Sequence, residues 1–543
     1  MEQASRTPLS ITELEPAVSS RVFDPPGTGK TTYLAAQAKR AVERFGPDAV
    51  LVASLTRTAA REAAGRDSGL PASNVATLHA HAFRRLGRPP LAETSEGVKA
   101  WNEHLKASGL KMGWSLRPES KSLEDEDPAA RAAAMLSKAG PDLLATINLL
   151  RARKVSEWEW AVPRDDQTRA AQRIIEFWHA WSLWKQESGR YDFTDLIQHA
   201  ALAGAPENTR VLFIDEVQDH SALEMEMVKS WSAGCDHVVL VGDPDQAIFE
   251  WRGADPKVFM TAEGGGTRTL SQSYRLPRKI HKFASRWIAQ IDDREHADYS
   301  PRDEEGAVMT TSATWEGPAP LLPLIEGDVK RGRSVVVLAS CAYMLRPLID
   351  MLRWNGLAFW NPLRPAQGDW NPIRSGNALA SWYRDPWSWA DFKRWAAPLV
   401  AKGTLEVGAK AYLDKMAKGN TAMKAVPVEE LEDMMIEGPP PRELEWWESH
   451  LRKKERVRHR YAMELVRRHG NEVLYREPLL MIGTIHSFKG GEADSVYLFP
   501  DISPAAIGDG DALTRLFYVG LTRARQRLTL CRAVKARESV CLT

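Results

Sequence analysis

The sequence predicts an α/β fold with parallel sheets, organised as two halves that each carry a mainly helical insertion. Three observations predict it. Short apolar runs rich in β-branched residues recur along the chain, separated by stretches whose apolar residues return at helical spacing. The segment FDPPGTGKTT, residues 23–32, reads as a phosphate-binding loop running into a helix. Two long stretches, about 86–194 and 356–477, break the strand and helix rhythm and read as insertions. Strands alternating with helices give a doubly wound sheet whose ligands sit at the carboxyl ends of the strands.

At 543 residues the chain is too long for one hydrophobic core, and three or four domains are expected. Apolar content of 43% with 26% charged residues is typical of soluble proteins, and no run approaches the roughly 20 apolar residues of a membrane span. The start, MEQASRTPLSITELEPAV, has neither a basic region nor an apolar stretch of the kind that directs secretion. Cys235, Cys341, Cys531 and Cys541 lack C-x-x-C spacing, which argues for a reducing compartment and against a zinc site or disulfide framework. A cytoplasmic protein is expected. Net charge is only +1, so any nucleic-acid contact must come from local placement of charge.

The phosphate loop comes first along the chain. Pro26-Gly27-Thr28-Gly29-Lys30-Thr31 supplies backbone amides, a lysine for the terminal phosphates and a hydroxyl for magnesium, and TTYLAAQAKRAVERF continues as a helix. Asp24 stands where the pattern G-x-x-x-x-G-K-[ST] has its first glycine. A carboxylate facing a triphosphate at about 6 Å, with an effective dielectric near 20, would cost roughly 3 kcal/mol per facing charge. An Asp that instead caps a local turn, pointing away, leaves every phosphate-gripping amide intact. The second reading is the expectation, because no other residue of the chemistry is missing.

Residues 47–53 (PDAVLVA) read as a strand, and 86–194 as helices with an acidic loop, SLEDEDPAA, and tryptophans at 158, 160, 178, 181 and 184. In VLFIDEVQDH, residues 211–220, an apolar strand ends in Asp215-Glu216. An α/β ATPase places there one carboxylate for the magnesium shell and a second to orient or deprotonate the attacking water. The strand VVLV, 238–241, runs into GDPDQAIFEWRGAD with Gln246, Trp251 and Arg252, and VVVLA at 335–339 is a further strand. Late in the second insertion, EGPPPREL is a proline stop, and LRKKERVRHRYAMELVRRHG at 451–470 is a helix with a heavily positive surface. That surface is either a solvated face or one that touches phosphates. No solenoid repeat occurs, and the strand pattern suggests two α/β halves on either side of about residue 276.

Taken together these pieces resemble the UvrD/Rep/PcrA group of superfamily 1 DNA helicases. VVLVGDPDQAIFEWRGAD is similar to the family loop that couples nucleotide to single-stranded DNA, and SLTRTAARE (54–62) and ATLHAHAFR (76–84) to its early DNA-contacting motifs. YDFTDLI (191–197), LSQSYRLPRKI (270–280), VVVLASCAYMLRPLIDMLRWNGLAF (335–359), IGTIHSFKGGEADSVYLF (482–499) and RLFYVGLTRARQRLTL (515–530) follow in family order. The resemblance covers roughly half of the chain. It implies two RecA-like P-loop motor domains: the first over 1–85 and 195–275 with an insertion at 86–194, the second over 276–355 and 478–543 with an insertion at 356–477 that binds duplex or regulates.

The resemblance also implies roles. Gly27, Thr28, Gly29, Lys30, Thr31 and Thr32 would hold ATP, with Thr31 and Asp215 serving Mg2+, Glu216 as general base and Gln246 as γ-phosphate sensor. Arg275 and Arg523 would reach the γ-phosphate, Tyr274 would stack on adenine and Glu492 contact ribose. Thr56, Arg57, His79, Trp251, His486 and Lys489 would lie along the DNA strand, Trp251 stacking on bases. Two departures stand out: no glutamine precedes the loop in the adenine-reading context, Gln3 being too distant, and Leu55 and Leu78 replace early aromatics, leaving stacking there to Phe83.

The expected activity is ATP-dependent translocation on single-stranded DNA, 3′ to 5′, unwinding duplex in replication, recombination or repair. The alternative is an ATP-gated DNA-sensing subunit of a repair or defence complex that hydrolyses weakly because of Asp24. Single strands and strand junctions are the expected partners, with a protein loader left open, no membrane, and a monomer or weak oligomer in the cytoplasm of a bacterial or phage-infected cell.

Overall fold

A computed structural model describes residues 18–54, 69–110, 112–117, 139–156, 168–260, 266–292, 294–295, 297–364, 370–373, 378–382, 386–438, 443–506 and 510–542. The chain forms two compact units. The first comprises Met1–Thr310, Ser340–Ala342 and Thr484–Thr543, the second Thr311–Ala339 and Tyr343–Gly483.

The first unit is built on a six-stranded sheet of β1 (Val18–Phe23), β2 (Val50–Ala53), β3 (Val75–Ala76), β4 (Val211–Ile214), β5 (His237–Gly242) and β6 (Thr267–Thr269). Its order is β3-β2-β4-β5-β1-β6 and every neighbouring pair is parallel. The apolar runs are continuous because both faces are covered. On one face Val22, Val50, Val52, Phe213 and Val239 pack on α1 (Lys30–Phe45) through Leu34, Ala38 and Ala41. On the other, Phe23, Leu51, Leu212, Ile214 and Leu240 pack against α2 (Leu78–Arg85), α6 (Phe193–Ala203) and α7 (Ala222–Ser232). Residues alternate between the two cores as the pleat requires.

Register fixes where the chemistry emerges. Phe23 lies opposite Gly242, and Ile214 opposite both Ala53 and Leu240. The residues that follow these strand ends, Asp24, Ser54, Asp215 and Asp243, therefore leave the sheet at one edge.

Between β3 and β4 the chain detours through α3 (Ser95–Ser108), α4 (Gly140–Ala152) and α5 (Thr168–Ser188), which share an aromatic core of Trp101, Trp114, Phe177, Trp181 and Trp184. Gly140 is required there, since a Cβ would sit 2.2 Å from the Trp114 carbonyl oxygen. The detour leaves and returns at one seam: Tyr191 N donates to Pro90 O at 3.0 Å and Ala92 N to Tyr191 O at 2.9 Å. Next to that seam α6 begins with a capping box of Asp192 and Asp195. Asp192 is fully buried and accepts from Arg151 Nη1 at 2.9 Å, Lys185 Nζ at 2.5 Å and Trp181 Nε1 at 3.1 Å. Burial alone would raise its pKa, but Arg151 and Lys185 hold it down to about 2.

A second run of parallel strands in the first unit joins β12 (Ala493–Leu498), β13 (Ala524–Leu530) and β9 (Ala307–Thr310), while β7 (Gln272–Pro277) pairs with β8 (Ser300–Arg302). Helices α8 (Arg278–Ile288) and α12 (Gly510–Leu521) pack beside them.

In the second unit β10 (Val335–Ala339) neighbours β11 (Leu480–Thr484). Its core gathers Trp387, Trp389, Phe392, Trp395 and Trp447, with α9 (Arg346–Trp354), α10 (Trp389–Ala396) and α11 (Lys453–His469) among its helices. The expected basic helix is thus present as α11. Among the described residues no helix is long and apolar enough to cross a membrane. Trp158 and Trp160 lie outside the described residues.

Candidate functional site

All residues of the site lie in the first unit. The loop between β1 and α1 turns on Gly27 (φ 75°) and Gly29 (φ 84°), a left-handed conformation that suits glycine. Space excludes a side chain as well: a Cβ on Gly27 would lie 2.3 Å from Arg275 Cβ. The same contact stitches the loop to β7, where Tyr274 N donates to Gly27 O at 2.8 Å and Ser273 Oγ to Pro26 O at 2.7 Å. Thr28 is buried with its hydroxyl on Pro25 O, Thr31 is half-buried in the first turn of α1 and Thr32 is exposed. That first turn places the N-terminal end of α1 at the loop, and a helix N-terminus favours an anion.

Lys30 is the hub. Its ammonium lies 3.0 Å from Asp215 Oδ1 and 3.2 Å from Asp24 Oδ2, and it donates to Glu216 Oε1. Burial opposes the lysine charge, yet the carboxylates of Asp215, Asp24 and Glu216 overcome it and hold its pKa well above the ordinary value. Asp24 does not cap a local turn, as the sequence suggested. It is buried and aimed at Lys30, its Oδ1 has no hydrogen-bond partner, and burial pushes its carboxyl pKa well above the usual range. The reason is register: β1 ends one residue before Asp24, whose N–H donates to Gly242 O, and this fixes the side chain at the edge where the other carboxylates emerge.

Glu216 adopts φ 54°, an uncommon left-handed conformation for a side chain of its kind and one associated with functional positions. Burial works to raise its pKa, but Lys30 and Lys489 hold it far below the carboxylate range. Gln218 Nε2 donates to Glu216 Oε2 at 2.6 Å, and Ser54 Oγ lies 3.3 Å from Asp215 Oδ2. Among the described residues no cluster of three or more His, Cys, Asp or Glu side chains stands ready for a metal ion. Asp215 and Thr31 supply a carboxylate and a hydroxyl, a donor set that fits magnesium, which is commonly held by one or two carboxylates together with substrate phosphates and water.

Gln246 connects this cluster to its surroundings in three directions. Its Nε2 donates to Asp243 Oδ2 at 2.7 Å, its Oε1 accepts from Arg523 Nη2 at 2.9 Å, and its backbone carbonyl accepts from Lys489 Nζ at 2.7 Å. Arg523 is buried, which lowers its pKa to about 9, with Arg275 adding to the effect. Arg275 Nε donates to Glu492 Oε2 at 2.7 Å, and Arg525 Nη1 to Glu492 Oε1 at 2.8 Å. Tyr274 is 69% exposed, with its ring beside Gly29.

Beyond Gln246 lies an aromatic patch. Trp251 and His486 meet edge to face with centroids 6.2 Å apart, and Phe249 lies 6.2 Å from Trp251 and 6.0 Å from His486. The Lys489 ammonium is turned inward, contacting Asp219 and lying 3.5 Å from Glu216 Oε2, while its charge sits 5.5 Å from the Phe249 centroid. His79 is on α2, 3.5 Å from Glu224, and burial lowers its pKa more than that carboxylate raises it. Leu78 is in the core and Phe83 packs against it. Thr56, Arg57 and Leu55 lie outside the described residues, as does Gln3.

The sequence reading did not single out Asp219, Asp243 or Phe249, although all three belong to this constellation. Asp243 follows β5 as Asp215 follows β4, a repeated signal of an acid just past an apolar run.

Comparison with known proteins bears on the whole arrangement. The description "UvrD/REP helicase N-terminal domain" fits residues 15–265, and "UvrD-like helicase C-terminal domain" fits 479–531. Similar proteins include the probable DNA helicase II homolog of Mycoplasma capricolum, 29% identical over 18% of this chain and 14% of its own length. The ATP-dependent DNA helicase srs2 of Schizosaccharomyces pombe is 24% identical over 52% of this chain and 34% of its own. The ATP-dependent DNA helicase UvrD2 of Mycobacterium tuberculosis is 23% identical over 93% of this chain and 75% of its own. The first two matches thus span well under two thirds of those relatives. With an N-terminal and a C-terminal match in family order, on a parallel α/β architecture with its phosphate loop at the sheet edge, the chain belongs to the UvrD/REP helicase family.

Proposed function

We propose that the protein is an ATP-dependent DNA helicase that translocates along single-stranded DNA, 3′ to 5′, and separates strands at single/double-strand junctions. The observation that carries this reading is Gln246, whose side chain touches Arg523 and whose backbone holds Lys489 beside the Trp251 and His486 patch. One residue thus joins the phosphate side to the aromatic side. On this reading Gly27, Thr28, Gly29, Lys30, Thr31 and Thr32 cradle the triphosphate, and Thr31 and Asp215 hold Mg2+, which neutralises charge on the phosphates. Glu216 accepts a proton from the attacking water, Gln246 senses the terminal phosphate, and Arg275 and Arg523 neutralise charge as it develops. Tyr274 stacks on the base and Glu492 serves the ribose. Bases stack on Trp251, with His79, His486 and Lys489 nearby and Thr56 and Arg57 completing the track.

The same reading assigns two motor domains, 1–85 with 195–275 and 276–355 with 478–543, and insertions at 86–194 and 356–477. It places the protein in bacterial or phage-infected cytoplasm, as a monomer or weak oligomer. The test is steady-state ATP hydrolysis with and without single-stranded DNA, followed by unwinding of duplexes with only a 3′ or only a 5′ tail. DNA-stimulated hydrolysis and use of the 3′ tail are expected; preference for the 5′ tail would sink the polarity.

A second reading draws on Asp24. Its buried carboxylate on Lys30 favours a nucleotide-gated DNA-binding subunit with slow turnover. That reading predicts tight ATP-dependent DNA binding and negligible hydrolysis in the same assay.

A further inference from the structure

The loop that carries Trp251 is fastened to its surroundings at more than one point. At its start Gln246 Oε1 accepts from Arg523 Nη2 at 2.9 Å, and further along Glu250 Oε1 accepts from Arg515 Nη1 at 2.9 Å. Both arginines belong to one continuous piece of backbone. Arg515 lies in α12, and helical hydrogen bonding runs on past Leu521: Thr522 N donates to Tyr518 O at 3.0 Å and Arg523 N to Gly520 O at 3.3 Å. From 515 to 523 is about 12 Å along a helix axis. A single contact acts as a hinge, whereas two contacts at separate points fix an orientation.

The second contact is more than a surface ion pair. The Arg515 side chain is 14% exposed and its Nε is buried without a hydrogen-bond partner, so its charge depends on Glu250. This end of α12 is itself anchored, since Trp287 Nε1 of α8 donates to Thr514 O at 2.8 Å. On its other side the loop meets the end of α4. Arg153 Nη2 donates to Glu250 O at 2.9 Å, and a Cβ on Gly253, at φ 94°, would lie 3.0 Å from Ala152 Cβ. Glu250 thus has its backbone held by one element and its carboxylate by another, while its chain neighbour Trp251 faces Phe249 and His486.

We propose that Glu250 is a positioning residue: its bond to Arg515 fixes the angle of the Trp251 ring relative to Arg523, so that the two side chains turn as one body. The inference rests on the roles proposed above for Trp251 and Arg523. With Gln246 alone, the loop could rotate about the contact between Gln246 and Arg523 and carry Trp251 out of line. Glu250 removes that freedom. A charge-assisted hydrogen bond suits the task, being directional and roughly twice as strong as a neutral one.

The test uses the full chain with Glu250→Ala, Arg515→Met, the double variant Glu250→Ala/Arg515→Met and the exchanged pair Glu250→Arg/Arg515→Glu. Steady-state ATP hydrolysis is read with and without oligothymidine. Hydrogen exchange is read without ligands at the Arg252 and Gly253 amides, which donate to Phe249 O and Glu250 O. In each single variant the DNA-stimulated kcat should fall about tenfold with the KM for ATP and the DNA-free rate unchanged, and the two amides should exchange about tenfold faster. The double variant should be no worse than either single one, and the exchanged pair should recover most of both signals, which a folding defect would not allow. Losses that add in the double variant, an exchanged pair no better than the single changes, or loop amides that exchange at the native rate would overturn the proposal. A native chain that DNA does not stimulate would sink the helicase reading instead, and the exchange rates would then decide the proposal.

Discussion

Asp24 brings a carboxylate into a loop whose ligand is itself an anion, and the consequence has a definite sign. Asp24→Asn keeps the shape and removes the charge, so at a pH high enough to ionise the native carboxyl ATP affinity should rise by between tenfold and about a hundredfold, as measured by titration with a fluorescent nucleotide. Because burial raises the Asp24 pKa well above the ordinary carboxylate value, lower pH favours its neutral form. ATP affinity of the native chain should therefore climb as pH falls, converging on that of the asparagine variant. Stability follows the same sign: a carboxyl with a raised folded pKa supports the fold while protonated, and that support is lost as pH rises through the folded value. At Gly27 the constraint is steric. Gly27→Ala would force a Cβ to 2.3 Å from Arg275 Cβ at φ 75°, and should cost about 1–3 kcal/mol and weaken ATP binding, checked by thermal melting and the same titration.

Among the elements, α4, α5 and α6 meet at one buried charge cluster, and their docking should show it. Asp192 is held at about 2, below its ordinary 3.8, so the stability it confers is complete above the ordinary value and lost as pH falls from about 4 toward 2. Asp192→Asn should destabilise by about 3 kcal/mol at neutral pH, because Arg151 and Lys185 lose a buried partner. The difference from the native chain should shrink below about pH 4. Tryptophan fluorescence during chemical denaturation reads it directly, since Trp181 donates to Asp192 and lies 5.1 Å from Trp101. A difference that persists undiminished at the lowest pH would contradict the assignment. These elements also show what could be read in advance. The strands at 211–214 and 335–339 were plain because short β-branched runs between turns have few other uses. α11 was equally plain, being free of Gly and Pro over its length. The charge cluster was not, since Arg151, Lys185 and Asp192 look like ordinary surface residues until α4 and α5 fold over the start of α6.

At the scale of the molecule, Gln246 is where hydrolysis and strand movement would be coupled. Gln246→Ala should reduce the stimulation of hydrolysis by DNA at least about tenfold while leaving DNA binding nearly intact, as measured by ATPase titration beside anisotropy. Equal stimulation in native and variant chains would remove Gln246 from the coupling. The strand, turn and helix that carry the candidate nucleotide site were legible because each is a local pattern in the sequence. The turning inward of Asp24 and Lys489 was not, because it depends on strand register and on residues some two hundred positions away. The seam at Pro90, Ala92 and Tyr191 has a further consequence, for how this chain can be rearranged. Its entry and exit are hydrogen-bonded neighbours, so a bridge of very few residues would close the chain if everything between them were cut out. A foreign domain could be spliced in at the same point without stretching the backbone. Chemistry, not length, would resist such a graft: the excised block takes Arg151 and Lys185 with it, and any replacement must supply two cations to the carboxylates left behind.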